Sequence, residues 1–193
     1  MAQQQPQIWS NPGPWAIQAV AVLTACVGVV FAGLVPPSTT PLLVGILLAC
    51  VLPQLIAGII LFRRGDINLA TICGLFGTVI TMGAAITLWQ QMGAKAITPE
   101  VMGAFWLALF VITEVYAIGF GRATWLLLAG IAEVGVAFLF LGINQLTGLA
   151  ITGTIGGWLL IVFSAFCIYA SSAILLAEQF GRPILPIGRP VFK

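Results

Sequence analysis

Two carboxylates stand where an apolar chain has least use for them. Glu133 falls near the middle of "WLLLAGIAEVGVAFLFLG" (Trp125 to Gly142), and Glu114 falls inside the apolar run before it. An acid at the centre of a membrane helix costs on the order of 3 kcal/mol, and an ionised, unpaired one costs more. No Lys or Arg lies inside any apolar run to pair with them. Each acid therefore either stays protonated and bonds to a neighbouring helix, or faces water in a pathway where it can pass a proton or gate a solute. Glu133 follows Arg122 by eleven residues and Glu114 precedes it by eight. On antiparallel helices rising ~1.5 Å per residue, that puts them about 16 and 12 Å deep, at similar levels. The expected role for Glu133 and Glu114 is proton coupling or gating.

The elements that must position these acids are membrane helices. The 193 residues are 61% hydrophobic and 6% charged, with a mean hydropathy of +1.14, whereas soluble domains carry roughly 25% charged residues. Six apolar runs, at about 15–35, 42–62, 69–91, 101–120, 123–143 and 153–177, are each long enough to cross the ~30 Å hydrocarbon core as a helix. None alternates apolar and polar residues as a strand of a membrane barrel would. The expected fold is an all-α, polytopic bundle of six transmembrane helices. It divides into an N-terminal segment 1–14, a transmembrane domain 15–177 and a C-terminal tail 178–193.

Loop composition sets the expected orientation. With six spans, Arg63, Arg64, Arg122, Arg182, Arg189 and Lys193 share one side, and only Lys95 lies on the other. The positive-inside rule then puts both termini in the cytoplasm. "LTAC" (Leu23 to Cys26) has the look of a lipoprotein cleavage box, but no basic residue precedes it and the chain stays apolar after it. The first span is therefore expected to be retained. Trp15, Trp89, Trp106, Trp125 and Trp158 fall near span ends and are expected to form interfacial anchors.

Several function classes are excluded. There is no histidine, and the four cysteines lie inside spans without a C-x-x-C pair. They are expected to be packing residues, with no metal site and no cofactor. No phosphate-cradling glycine loop or Ser/His/Asp set supports an enzyme, and a net charge of +2 offers no nucleic-acid footprint. In span 2, Pro53 removes a backbone donor and frees a carbonyl one turn earlier. With Gln54 beside it, this segment either kinks for purely structural reasons or lines a polar path. Glu178 and Arg182 are spaced for an interfacial ion pair at the end of span 6.

Two terminal motifs belong together: "SNPGPWAI" (Ser10 to Ile17) and "EQFGRPILPIG" (Glu178 to Gly188). The chain resembles the acetate uptake transporter family, the YaaH/SatP-like succinate–acetate permeases. These begin with N-P-A-P-L-G-L and end with E-Q-F-G-R-x-x-L-P-I-G. "QLIAGIILFRRG" (Gln54 to Gly65) is similar to a third family segment, Q-x-x-A-G-x-x-E-x-x-x-G, with Leu61 or a neighbour in place of its glutamate. The resemblance implies a homohexamer in the cytoplasmic membrane of a prokaryote, with one pore per protomer for small carboxylates and protons, embedded in lipid. It places Asn11, Pro12 and Pro14 near the pore mouth. It also implies a constriction from spans 1, 3 and 5, which an ungapped register puts at Val20, Phe76 and Glu133. Phe76 stands where the family has a tyrosine, and Glu133 where it has an apolar gate residue. Ionised, Glu133 would repel acetate; protonated, it would donate a hydrogen bond or carry the proton. The expected function is a proton-coupled or pH-gated permease for acetate-like monocarboxylates, with succinate in some members. The alternatives are a channel for a small neutral or cationic solute, or a non-transporting accessory subunit.

Overall fold

The structure, a computed structural model, describes residues 9–92 and 98–192. Lys95 and Lys193, on which part of the orientation argument rests, lie outside the described residues, as do residues 1–8 of the N-terminal segment. The described residues fold into α1 (Gly13–Phe31), α2 (Thr40–Arg64), α3 (Ile67–Gly74), a π-helical segment (Leu75–Met82), α4 (Gly83–Met92), α5 (Pro99–Phe120), α6 (Trp125–Thr147) and α7 (Ala150–Phe180). Together α3, the π segment and α4 make the third span. Six spans, Gly13–Phe31, Thr40–Arg64, Ile67–Trp89, Pro99–Phe120, Trp125–Thr147 and Ala150–Phe180, are long and apolar enough to cross a membrane.

Local chemistry sets the boundaries. Asp66 caps α3 by accepting from the Leu69 amide at 3.0 Å, and Thr124 caps α6 by accepting from the Leu127 amide at 3.2 Å. Each bond satisfies a donor that a helix start leaves free. α2 ends at Gly65 (φ 81) and α7 at Gly181 (φ 63), in the left-handed conformation that glycine adopts without a Cβ clash. Two expectations change here. The third span is not one regular α-helix, because the π segment occupies its middle. Trp15, Trp89, Trp125 and Trp158 are well exposed, but Trp106 is buried at 6% exposure and points into the bundle rather than to an interface.

The spans close into a ring. α1 packs between α2 and α7, α7 against α6, α6 against α5, and α2 against the third span, whose α3 reaches back to α5. The α1–α7 crossing is backbone-close: a Cβ on Gly157 would stand 2.2 Å from the Ala32 nitrogen, and one on Gly28 would stand 2.9 Å from the Gly157 oxygen. In lipid, where no hydrophobic force drives helices together, such small residues permit the contact. Ser164 adds a polar tie, donating from α7 to the Ala21 carbonyl of α1 at 2.7 Å.

The N-terminal and C-terminal motifs meet at one end of this ring. Asn11 Nδ2 donates to Glu178 Oε1 at 2.7 Å, and Asn11 Oδ1 accepts from the Gly13 amide at 2.9 Å. Glu178 is thus engaged by Asn11 rather than by the Arg182 expected from spacing; Gly181 ends the helix between them. Arg64 donates to the Trp9 carbonyl. The tail folds back over the bundle end, with the Tyr169 hydroxyl donating to the Pro186 carbonyl at 2.8 Å and the Trp125 amide to the Arg189 carbonyl at 2.9 Å.

Candidate functional site

Three cavities follow one another along the inside of the ring. A mouth of about 460 Å³ lies at the end where the termini meet, and Asn11, Asp66, Asn68 and Arg122 give it polar walls. An inner cavity of about 50 Å³ shares Ile17, Leu69, Phe120 and Leu127 with the mouth and is otherwise apolar, with Val20, Ile131 and Cys167 in its wall. An outer cavity of about 270 Å³ lies toward the opposite end; Thr24, Thr81, Thr87 and Gln145 supply its hydroxyls and amide. Among the described residues, Phe76 is the one side chain that lines both the inner and outer cavities.

The barrier at Phe76 is aromatic on two sides. Its ring centroid lies 6.1 Å from that of Phe138 on α6 and 6.4 Å from that of Phe163 on α7. Trp106 on α5 extends the cluster at 5.5 Å from Phe138, and Phe166 extends it at 5.6 Å from Phe163. These distances fall in the range of favourable tilted and stacked ring pairs, so the cluster is cohesive and holds Phe76 at 3% exposure. Phe76 is thus one member of an aromatic cluster drawn from the third span, α5, α6 and α7.

The residues singled out in the sequence divide into three groups. Asn11 lines the mouth, Val20 lines the inner cavity and Phe76 separates inner from outer. Pro12 sits at the N-cap of α1, and Pro14 is buried in its first turn. Gln54 lines none of the three cavities: it is fully buried on α2, donating from Nε2 to the Cys50 carbonyl at 2.8 Å and to Thr81 Oγ1 at 3.3 Å. It touches the path only through Thr81.

Glu133 and Glu114 also line none of the three cavities. On α6 the path-facing residues are Leu127, Ile131, Phe138 and Gln145, spaced by four and seven as one helix face requires. Glu133 is two residues past Ile131, about 200° around the helix at ~100° per residue. Ile131 lines the inner cavity on the face that Glu133 leaves. Both Glu133 carboxylate oxygens are buried without a hydrogen-bond partner among the described residues. Glu114 lies against α6, where its Oε1 would stand 2.3 Å from a Cβ on Gly135. The two acids are level in depth, since Gly135 is two residues from Glu133, but α6 separates them.

Phe138, Phe163 and Trp106 are the path residues that sequence reading missed. Their helices are apolar all round, so no polar face points to the axis. The four-and-seven spacing of Leu127, Ile131 and Phe138 was the available signal. All four cysteines are free thiols, and Cys73 and Cys167 line the inner cavity.

Comparison with known proteins places this architecture. The model of the GPR1/FUN34/yaaH family matches residues 1–185. The succinate-acetate/proton symporter SatP of Escherichia coli (strain K12) is 25% identical over 180 residues, covering 93% of this chain and 95% of its own. The protein of the same name from Shigella flexneri matches to the same extent. A solved structure described as that of the bacterial acetate channel SatP superposes with a TM-score of 0.86 at 23% identity, over 93% of this chain and 99% of that one.

Proposed function

The chain belongs to the GPR1/FUN34/yaaH family, and from that premise we propose that it conducts small monocarboxylates of the acetate class through the axial path that Phe76 closes. The observation that carries this reading is the succession of mouth, inner and outer cavities along one axis, with a single shared aromatic side chain between the last two. The names of the relatives, a succinate-acetate/proton symporter and an acetate channel, support the same solute class.

The chemistry along the path suits such a solute. The mouth offers Arg122 and the amides of Asn11 and Asn68 to an anion. The walls near Phe76 are apolar, where an unpaired carboxylate would lose its hydration without compensation. The solute therefore crosses the barrier as the neutral acid, taking up a proton on one side and releasing it on the other. Thr87 and Gln145 give it a hydroxyl and an amide partner in the outer cavity. Glu133 and Glu114 are the acids within the spans available to store a coupled proton. They would act from behind the wall rather than as a gate in the path. Six copies with cytoplasmic termini complete the reading, each copy holding its own path.

The test is radiolabelled acetate uptake into proteoliposomes, measured above protein-free vesicles, with and without an inward proton gradient. Wild type is expected to take up acetate faster with the gradient, and Glu133→Gln to keep the part of that acceleration that protonation of the solute supplies while losing the part that a proton stored on the protein adds. Absence of acetate flux from a correctly assembled protein would sink the assignment and turn attention to urea and other neutral solutes.

A further inference from the structure

The barrier ring is mounted on an unusual piece of backbone. Phe76 is the second residue of the π-helical segment Leu75–Met82. A π turn holds one residue more than the α turn it replaces and recurs at functional sites. Glycines bracket it, Gly74 before and Gly83 after, and a Cβ at either would meet nothing within 4 Å. Packing within the chain does not demand glycine at either position, and glycine is a weak helix former.

Polar contacts accompany the π segment. Thr81 Oγ1 donates to the Phe76 carbonyl at 2.5 Å, five residues back, which is the spacing of a π turn rather than the four of an α turn. Gln54 Nε2 in turn donates to Thr81 Oγ1 and to the Cys50 carbonyl of its own helix. Gln54 and Thr81 are both at 0% exposure. α2 and the π segment are pressed together at this level, since a Cβ on Gly77 would stand 2.8 Å from the Gln54 Cβ. Gln54 Oε1 is left buried with no partner, so the closed arrangement does not use the full bonding capacity of the amide.

We propose that Gln54 and Thr81 are positioning residues for the barrier: their hydrogen-bond relay fixes the π register that keeps Phe76 between the two cavities. When the relay releases, the segment returns to α register. Loss of one residue from a turn rotates the residues before it against those after it by about 100°. That rotation carries the Phe76 ring off the axis and joins the inner to the outer cavity. The proposal rests on the axial path being the conduction route.

Uptake of radiolabelled acetate and of the bulkier benzoate into proteoliposomes holding the full chain tests it. Phe76→Ala is expected to raise both fluxes several-fold, benzoate more than acetate. Gln54→Leu and Thr81→Val are expected to do the same, while Thr81→Ser, which keeps the hydroxyl, is expected to fall between wild type and Thr81→Val in its ratio of benzoate to acetate flux. The double variant Gln54→Leu/Phe76→Ala is expected to conduct no better than Phe76→Ala alone, because both changes remove one barrier. A merely structural role for Gln54 would not produce that non-additivity or the altered size preference. Wild-type fluxes in Gln54→Leu and Thr81→Val beside raised flux in Phe76→Ala would overturn the relay and leave the path standing. Unchanged flux in a correctly assembled Phe76→Ala would overturn both. If Gln54→Leu does not assemble, Thr81→Val, which removes one hydroxyl at nearly constant volume, decides.

Discussion

Asn11 does two jobs at once: its carbonyl oxygen accepts from the Gly13 amide at the start of α1, and its amide nitrogen reaches Glu178 at the end of α7. The first bond satisfies a helix-start donor, and the second is strengthened by the carboxylate charge. Asn11→Ala is expected to cost about 1–2 kcal/mol, the typical worth of a lost cap together with a lost charge-assisted bond. Thermal unfolding in detergent, compared with Asn11→Asp, checks this. Asp keeps the acceptor for Gly13 but puts a second carboxylate against Glu178, so it should also fall below wild type. A melting temperature unchanged in Asn11→Ala would remove the tie between the two terminal motifs from the account of stability. Glu133 is the contrasting residue. Its buried oxygens have no partner to lose, so Glu133→Gln should leave thermal stability near wild type and register only in the response to a proton gradient.

Among the elements, the α1–α7 pair is the least forgiving. At Gly157 an added Cβ would meet backbone atoms, Ala32 N at 2.2 Å and Phe31 C at 2.6 Å, and backbone cannot turn aside as a flexible side chain can. Gly157→Val must push the helices apart, and overpacking of this kind costs about 1–3 kcal/mol or more. The expected result is a lower melting temperature and a reduced yield of monodisperse protein. Gly135→Ala, by contrast, meets only the end of the Glu114 side chain, which can swing away, so its cost should be clearly smaller. Equal losses in the two variants would show that the crossing is not the tight contact the backbone spacing indicates. The same logic makes α1 a fixed wall of the path, with Val20 held in place by α7 behind it, while the third span, which carries the weak helix formers Gly74 and Gly83, is the wall able to move.

For the molecule as a whole, polar and apolar surfaces are sorted by depth. The mouth carries Asp66 and Arg122, whereas the wall around Phe76 carries rings and aliphatic chains. A path with this profile passes a solute whose charge is cancelled at the barrier, so uptake should fall as external pH rises. The sign follows from the solute: higher pH lowers the fraction present as neutral acid, and the ionised fraction meets the desolvation cost. Acetate uptake at stepwise external pH, with protein-free vesicles subtracted, reads this directly; a flux that rises with pH would reverse the assignment. The six-copy assembly is tested by native mass spectrometry of the detergent-solubilised protein, where a single species of six chains is expected.

Six membrane helices, their approximate limits and the placing of both termini at one end of the bundle are legible in the chain itself. Run length against bilayer thickness sets the spans, and an even number of spans brings both termini to one side. Polar residues worth explaining, Glu114, Glu133 and Gln54, are legible too, because polar atoms inside spans are costly wherever they point. Where they point was not. In a span that is apolar all round, no amphipathic stripe marks the face that meets the axis, so Ile131 and Glu133 are equal candidates until neighbouring helices are in place. The barrier draws Phe76, Phe138 and Phe163 from three spans, and no local pattern links them. The π register of the third span depends on Thr81 bonding to Phe76 and on Gln54 reaching across from α2. Such a register is a balance between backbone geometries that contacts from another helix tip, and only the tertiary structure brings those contacts together.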